Sequence, residues 1–205
     1  MVSLLLELKK SLKEVRGIAG RMGNDELETP LHKMKVKSYI LLSHGVIEEY
    51  LENKSLQICE QAISELSQNK ISYCISSLVA FYKFQYPTIL THPPSVGHVT
   101  EFLVDAAEQC IIQHQEIISN NHGIRKKSLD RLFRPLGIDV DKVAPGLKAS
   151  LDAFGQKRGT FAHGVGAHVQ DTKGGIRQEL NGIVSLLELF DQGCSICQKR
   201  EVTLS

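Results

Sequence analysis

The sequence predicts an all-α protein, an elaborated helical bundle with short connections. Apolar residues recur at spacings of three and four through most of the chain. No stretch alternates apolar and polar residues strongly enough for a sheet, and clusters of glycine, proline and asparagine separate the periodic runs. Leu4, Leu5, Leu8, Leu12 and Val15 make a first amphipathic helix, ending near Gly17, Gly20 and Gly23. Thr29-Pro30 reads as an N-cap followed by proline at the first helical position. The next helix, Leu31 to Asn53, carries Tyr39, Leu42, Val46 and Tyr50 on one face with Ile40, Ile47 and Leu51 beside it. So broad an apolar arc predicts a buried central helix.

Ser55 to Leu66 and Ile71 to Phe84 continue the helical pattern, which "QYPTILTHPPSVGHV" then interrupts with Pro87, Pro93 and Pro94. Thr100 is placed to cap a helix running to about Ser119, where "NNHG" ends it. "KKSLDRLFRPLGI" makes a short basic helix stopped by Pro135 and Gly137. Another helix is expected from about Gly146 to His163. A last one runs from about Ile176 to Lys199 through Ile183, Leu186, Leu187 and Phe190.

At 205 residues the chain fits a single domain, residues 1–205, large enough to bury a core without disulfide or metal staples. Its 24 basic and 23 acidic residues nearly cancel, so any site for nucleic acid has to come from a local cluster. Cys59, Cys74, Cys110, Cys194 and Cys197 are scattered and odd in number, as expected of reduced thiols in a cytoplasmic protein. The opening "MVSLLLELKKSLKEV" has the pattern of neither a signal peptide nor a membrane span, so no membrane partner is expected.

The stretch with most chemical content is "KRGTFAHG", Lys157 to Gly164. Eight arginines and eight histidines in this chain would by chance give about one arginine with a histidine five to seven residues on. The bare spacing is therefore uninformative, and the information lies in its context. Ala162 and Gly164 flank the histidine, and the apolar-periodic "LKASLDAFGQK" leads into the pair. Cleaving RNA without a metal needs a base for the 2′-hydroxyl proton and a cation for the phosphate as it becomes five-coordinate. His163 and Arg158 suit those roles, since histidine titrates near neutral pH and arginine grips phosphate bidentately. A five-residue step turns about 140° around a helix, so the two side chains flank a groove that a second copy of the helix would close. A histidine just before a helix-ending glycine also serves the exposed carbonyls of the last turn, and both roles stay open on these residues alone.

"LDAFGQKRGTFAHG" resembles the motif of HEPN domains, an arginine and a histidine separated by four to six residues on a late helix. "SYILLSHGVIEEYLE" is similar to the second helix of the RiboL-PSP-HEPN branch, and "LDRLFRPLGIDVDKV" to the segment before its motif helix. The resemblance covers most of Leu31 to Leu189. It implies a HEPN-like up-and-down helical core with extra helices, and a metal-independent endoribonuclease working as a homodimer without cofactors. Arg158 and His163 would be the catalytic residues, and Gly159 stands where the family commonly has a polar residue. Many relatives are toxins or phage-defence components, so an antitoxin or a nucleotidyltransferase is an implied partner beside RNA. The other function class is a HEPN-like RNA- or protein-binding scaffold whose pair survives only as a helix end or a dimer contact.

"RKKSLDRLFR" gathers Arg125, Lys126, Lys127, Arg131 and Arg134 against Asp130 alone. With Lys157 these are the candidate RNA-binding residues, although a solvated helix face accounts for the pattern equally well. Glu49 borders the apolar face of the second helix, where it could hold an arginine or be a rim residue. "CSIC" at Cys194 to Cys197 lacks a second cysteine pair, and His163 with His168 lacks a third ligand, so no metal is expected. "GVGAHVQDTKGG" follows a helix and lacks the Gly-Lys-Ser/Thr ending of a phosphate loop, so it reads as a connector.

Overall fold

A computed structural model of the chain describes residues 3–20, 23–24, 29–68, 70–85, 99–163 and 171–198. Among the described residues there are eight helices and no strand. They are α1 (Leu4–Ile18), α2 (Pro30–Leu66), α3 (Tyr73–Gln85), α4 (Val99–Ser119), α5 (Lys126–Phe133), α6 (Val140–Val143), α7 (Leu147–His163) and α8 (Lys173–Gln198). The fold is all-α, as the periodicity predicts. Segments 86–98 and 164–170, which hold most of the proline-rich interruption and of the expected connector, lie outside the described residues.

α2 is the axis of the bundle, touching α1, α3, α4, α5, α7 and α8. Its start is the predicted one: Pro30 is the first helical residue, and the Thr29 hydroxyl accepts the His32 N–H at 3.2 Å. The expected boundary near Asn53 does not exist. The helix runs unbroken for 37 residues, because the polar residues that interrupt its apolar pattern are buried and satisfied from distant helices. Lys54 Nζ is 2.7 Å from the Asp191 carboxylate on α8, and the Ser55 hydroxyl donates to the Leu132 carbonyl on α5 at 3.0 Å. The buried face is also turned from the expected one, taking Val36, Tyr39, Ile40, His44, Ile47, Tyr50 and Leu51 while leaving Leu42 exposed.

α4 begins at Val99, so Thr100 is inside the helix and does not cap it. α6 is too short to show periodicity and was not expected from the sequence. The Asp139 side chain opens it by accepting the Asp141 N–H at 3.2 Å. α7 follows Gly146, whose φ of 89° favours glycine, and matches the predicted span to within one residue. α8 starts three residues earlier than expected, at Lys173.

The core around the later helices is aromatic and aliphatic. Phe133 of α5 meets Phe190 of α8 edge-to-face at 4.8 Å, with Phe154 and Leu151 of α7 also fully buried. Lys148 ties the first turn of α7 to Asp130 at 2.7 Å and Asp141 at 2.9 Å, fixing how α7 leaves α5 and α6. His114 of α4 is wholly buried: Tyr82 lies 2.9 Å from its Nδ1, while Ser55 and the Leu132 carbonyl lie 3.1 Å from its Nε2. All five cysteines are free thiols, as expected, and four of them are buried. Burial pushes Cys194 up to about 12, so the CSIC thiols sit in or against the core. Among the described residues no histidine, cysteine and carboxylate group is arranged to hold a metal, and no helix is long and apolar enough to cross a membrane.

Candidate functional site

Leu147, Leu151 and Phe154 bury one side of α7 against α2, α5 and α8, which leaves Asp152, Gly155, Gln156 and Gly159 on another face. These four recur at helical spacing and, with Arg158, form one wall of a groove of about 860 Å³. His44 of α2 contributes to the same groove, and the segment from His122 to Ser128 closes it with Arg125, Lys126 and Lys127. Gly155 is what allows the approach. A Cβ there would lie 2.8 Å from Arg125 Cγ, so a larger residue would push the basic segment off α7. Arg125 Nε is instead 2.9 Å from Asp152, whose carboxylate also accepts the Lys126 N–H at the start of α5. The Arg125 guanidinium holds Asp152 below its ordinary carboxylate range.

Glu48 links the walls of this groove. Its carboxylate is 3.5 Å from Nδ1 of buried His44, one turn earlier on α2, and accepts the Gly123 N–H. Burial works against its charge, but the hydrogen bond and charge of His44, the Arg158 guanidinium and the Gly123 N–H together lower its pKa. Gly123 adopts φ 140°, and Asn121 braces the turn by donating to the Gly123 carbonyl at 3.0 Å and to Glu52 at 2.8 Å. A charged carboxylate thus sits within the field of Arg158, connecting α2, the 121–125 turn and α7.

The structure brings together Arg158, Arg125, Lys126 and Lys127. It places the other candidates elsewhere. Arg131 lines a different pocket, beside Tyr82, Gln113 and Glu116. Arg134 is exposed, 3.7 Å from Asp130. The Lys157 ammonium is held between Asp171 at 2.6 Å and Glu179 at 2.8 Å, where it ties α7 to α8. Glu49 is exposed and borders α1, while its neighbour Glu48 has the position near the arginine. His163 is the last residue of α7, and its side chain, like His168, lies outside the described residues. On the continuous helix its Cα is about 140° around from that of Arg158 and about 7.5 Å further along.

A model of the RiboL-PSP-HEPN family matches residues 4–195. The chain belongs to that family. No curated protein and no solved structure matches it significantly. The family match extends beyond the segments whose resemblance is visible by eye, taking in α1 and most of α8. Within this HEPN domain, His44, Glu48, Asn121 and His122 are the site-lining or site-bracing residues that sequence reasoning did not select. One signal for the first two was available: His44 and Glu48 are four apart on a predicted helix and so share a face, whereas Glu49 is rotated about 100° away from Glu48. Asn121 and His122 carried no comparable signal, because their "NNHG" context has the ordinary composition of a helix end.

Proposed function

We propose that this HEPN domain is a metal-independent endoribonuclease that works as a homodimer in the cytoplasm, as a toxin or phage-defence component. The observation that carries the reading is that Arg158 shares one groove with Arg125, Lys126 and Lys127, which supply phosphate contacts on either side of it. In this reading the RNA backbone lies along the groove with a phosphate at Arg158, and Glu48 orients the guanidinium. His163 removes the 2′-hydroxyl proton, and the oxygen attacks the adjacent phosphorus. Arg158 stabilises the charge of the five-coordinate phosphate. The 5′-oxygen of the next nucleotide leaves with a proton, and a 2′,3′-cyclic phosphate remains. A second copy of α7 completes the cleft across the two-fold axis.

The test is cleavage of single-stranded RNA in EDTA. Expected products carry 2′,3′-cyclic or 3′-phosphate ends, DNA resists, and Arg158→Ala and His163→Ala each lower the rate about 10²-fold or more with the helical fold intact. Arg158→Lys should recover only part of the loss, because the planar fork is gone. Activity that requires added zinc would refute the mechanism. A second reading, an RNA- or protein-binding scaffold, is favoured by one feature: Gly159 gives the groove no polar side chain beside Arg158. RNA binding without cleavage of any substrate would select it.

A further inference from the structure

Away from the Arg158 groove, α1 and α8 cross the first half of α2 and enclose a smaller pocket of about 170 Å³. Lys13 and Arg16 of α1, Tyr39 of α2, and Arg177 and Asn181 of α8 line it above an apolar floor. Lys9, also at its edge, is paired with Glu188. Lys13, Arg16 and Arg177 have no carboxylate partner among the described residues. Three cations converging with no anion among the described residues repel one another, an arrangement that a bound anion relieves.

Tyr39 gives an independent indication. Its ring is buried, with only 2% of the residue exposed, while its hydroxyl opens on the pocket and makes no hydrogen bond among the described residues. A hydroxyl that opens on the pocket in this way can donate to a ligand there. Burial holds the phenol above its ordinary pKa while Arg16 and Arg177 pull it the other way, which places both guanidinia within electrostatic reach of the ring. A ligand oxygen at that point would accept the phenolic O–H and neutralise the arginines together.

We propose that this pocket binds the phosphate chain of a small polyphosphate ligand such as a nucleoside triphosphate, with Arg16, Arg177 and Lys13 gripping the oxygens and Tyr39 donating to one of them. The volume equals the liquid share of about six waters, room for a diphosphate-sized group but not for sugar and base as well. The cations surround one point at the surface and form no track of the kind a nucleic-acid backbone follows. The pocket is also on another side of α2 from the Arg158 groove, since Tyr39 is about 140° around the helix from His44. The site therefore stands whether or not the domain cleaves RNA.

The experiment is calorimetric titration of the full chain with inorganic tripolyphosphate at low salt. One anion should bind per chain, more weakly as salt rises. Arg16→Gln and Arg177→Gln should each weaken binding about tenfold and Tyr39→Phe about threefold, with unchanged circular dichroism. Should Arg177→Gln fold poorly, Arg16→Gln and Lys13→Gln, both on the exposed side of α1, carry the comparison. ATP should displace tripolyphosphate, whereas a 5′-hydroxyl RNA oligonucleotide should not. The proposal is overturned by no binding at millimolar tripolyphosphate, by binding that the arginine variants leave intact, or by displacement with the oligonucleotide and not with ATP.

Discussion

Acid should destabilise this domain through His114 well before its carboxylates are protonated. Burial drives the His114 pKa down from 6.5 to about 4, with the Leu132 carbonyl opposing the shift. Between those values the unfolded chain binds a proton that the folded chain refuses, so stability is complete above pH 6.5 and falls as the pH drops. At about 1.4 kcal/mol per pH unit, the loss reaches about 2 kcal/mol by pH 5 and about 3 kcal/mol by pH 4. That is a large part of the stability of an ordinary domain. Within the network, neutral His114 carries its proton on Nε2, shared between Ser55 and Leu132, while Nδ1 accepts from Tyr82. Urea midpoints of the wild type and of His114→Gln, measured at pH 7.5, 6, 5 and 4.5, isolate this contribution. His114→Gln should be less stable at pH 7.5 but much flatter with pH, so the two curves converge as the pH falls. Parallel curves would refute the assignment.

Two glycines of α8 should respond oppositely to alanine. A Cβ at Gly193 would collide with Val143 Cγ1 of α6, so Gly193→Ala should cost about 1–3 kcal/mol in chemical denaturation despite its better helix propensity. Gly182 has nothing within 4 Å of that position, and Gly182→Ala should gain up to about 1 kcal/mol. Glu48→Gln keeps the shape but removes the charge facing Arg158, so RNA cleavage should fall about tenfold while RNA binding changes little. Equal losses in both would make Glu48 a fold residue instead. Lys54→Met strips the ammonium from Asp191 and leaves that carboxylate with Tyr50 alone, so thermal melting should show a loss of about 3 kcal/mol.

The helices and their ends were largely legible in the sequence, because the signals are local. Thr29-Pro30 encodes the start of α2, Gly146 precedes α7, and apolar spacing marks the bodies of α1, α7 and α8. That Arg158 and His163 lie on one helix was legible for the same reason. The continuity of α2 through Asn53 was not legible. It depends on Asp191 and Leu132, partners far along the chain that satisfy Lys54 and Ser55. The membership of the groove was decided in the same way. Composition makes Arg125, Lys126, Lys127, Arg131, Arg134 and Lys157 look alike, but packing of α5 against α7 sends the first three to Arg158. Arg131 lines a different pocket beside α4, Arg134 faces solvent beside Asp130, and Lys157 is held by Asp171 and Glu179. Spacing along the chain fixes which face of a helix a residue occupies. Only the packed bundle fixes what that face meets, because contacts between helices join residues whose separation in sequence carries no period.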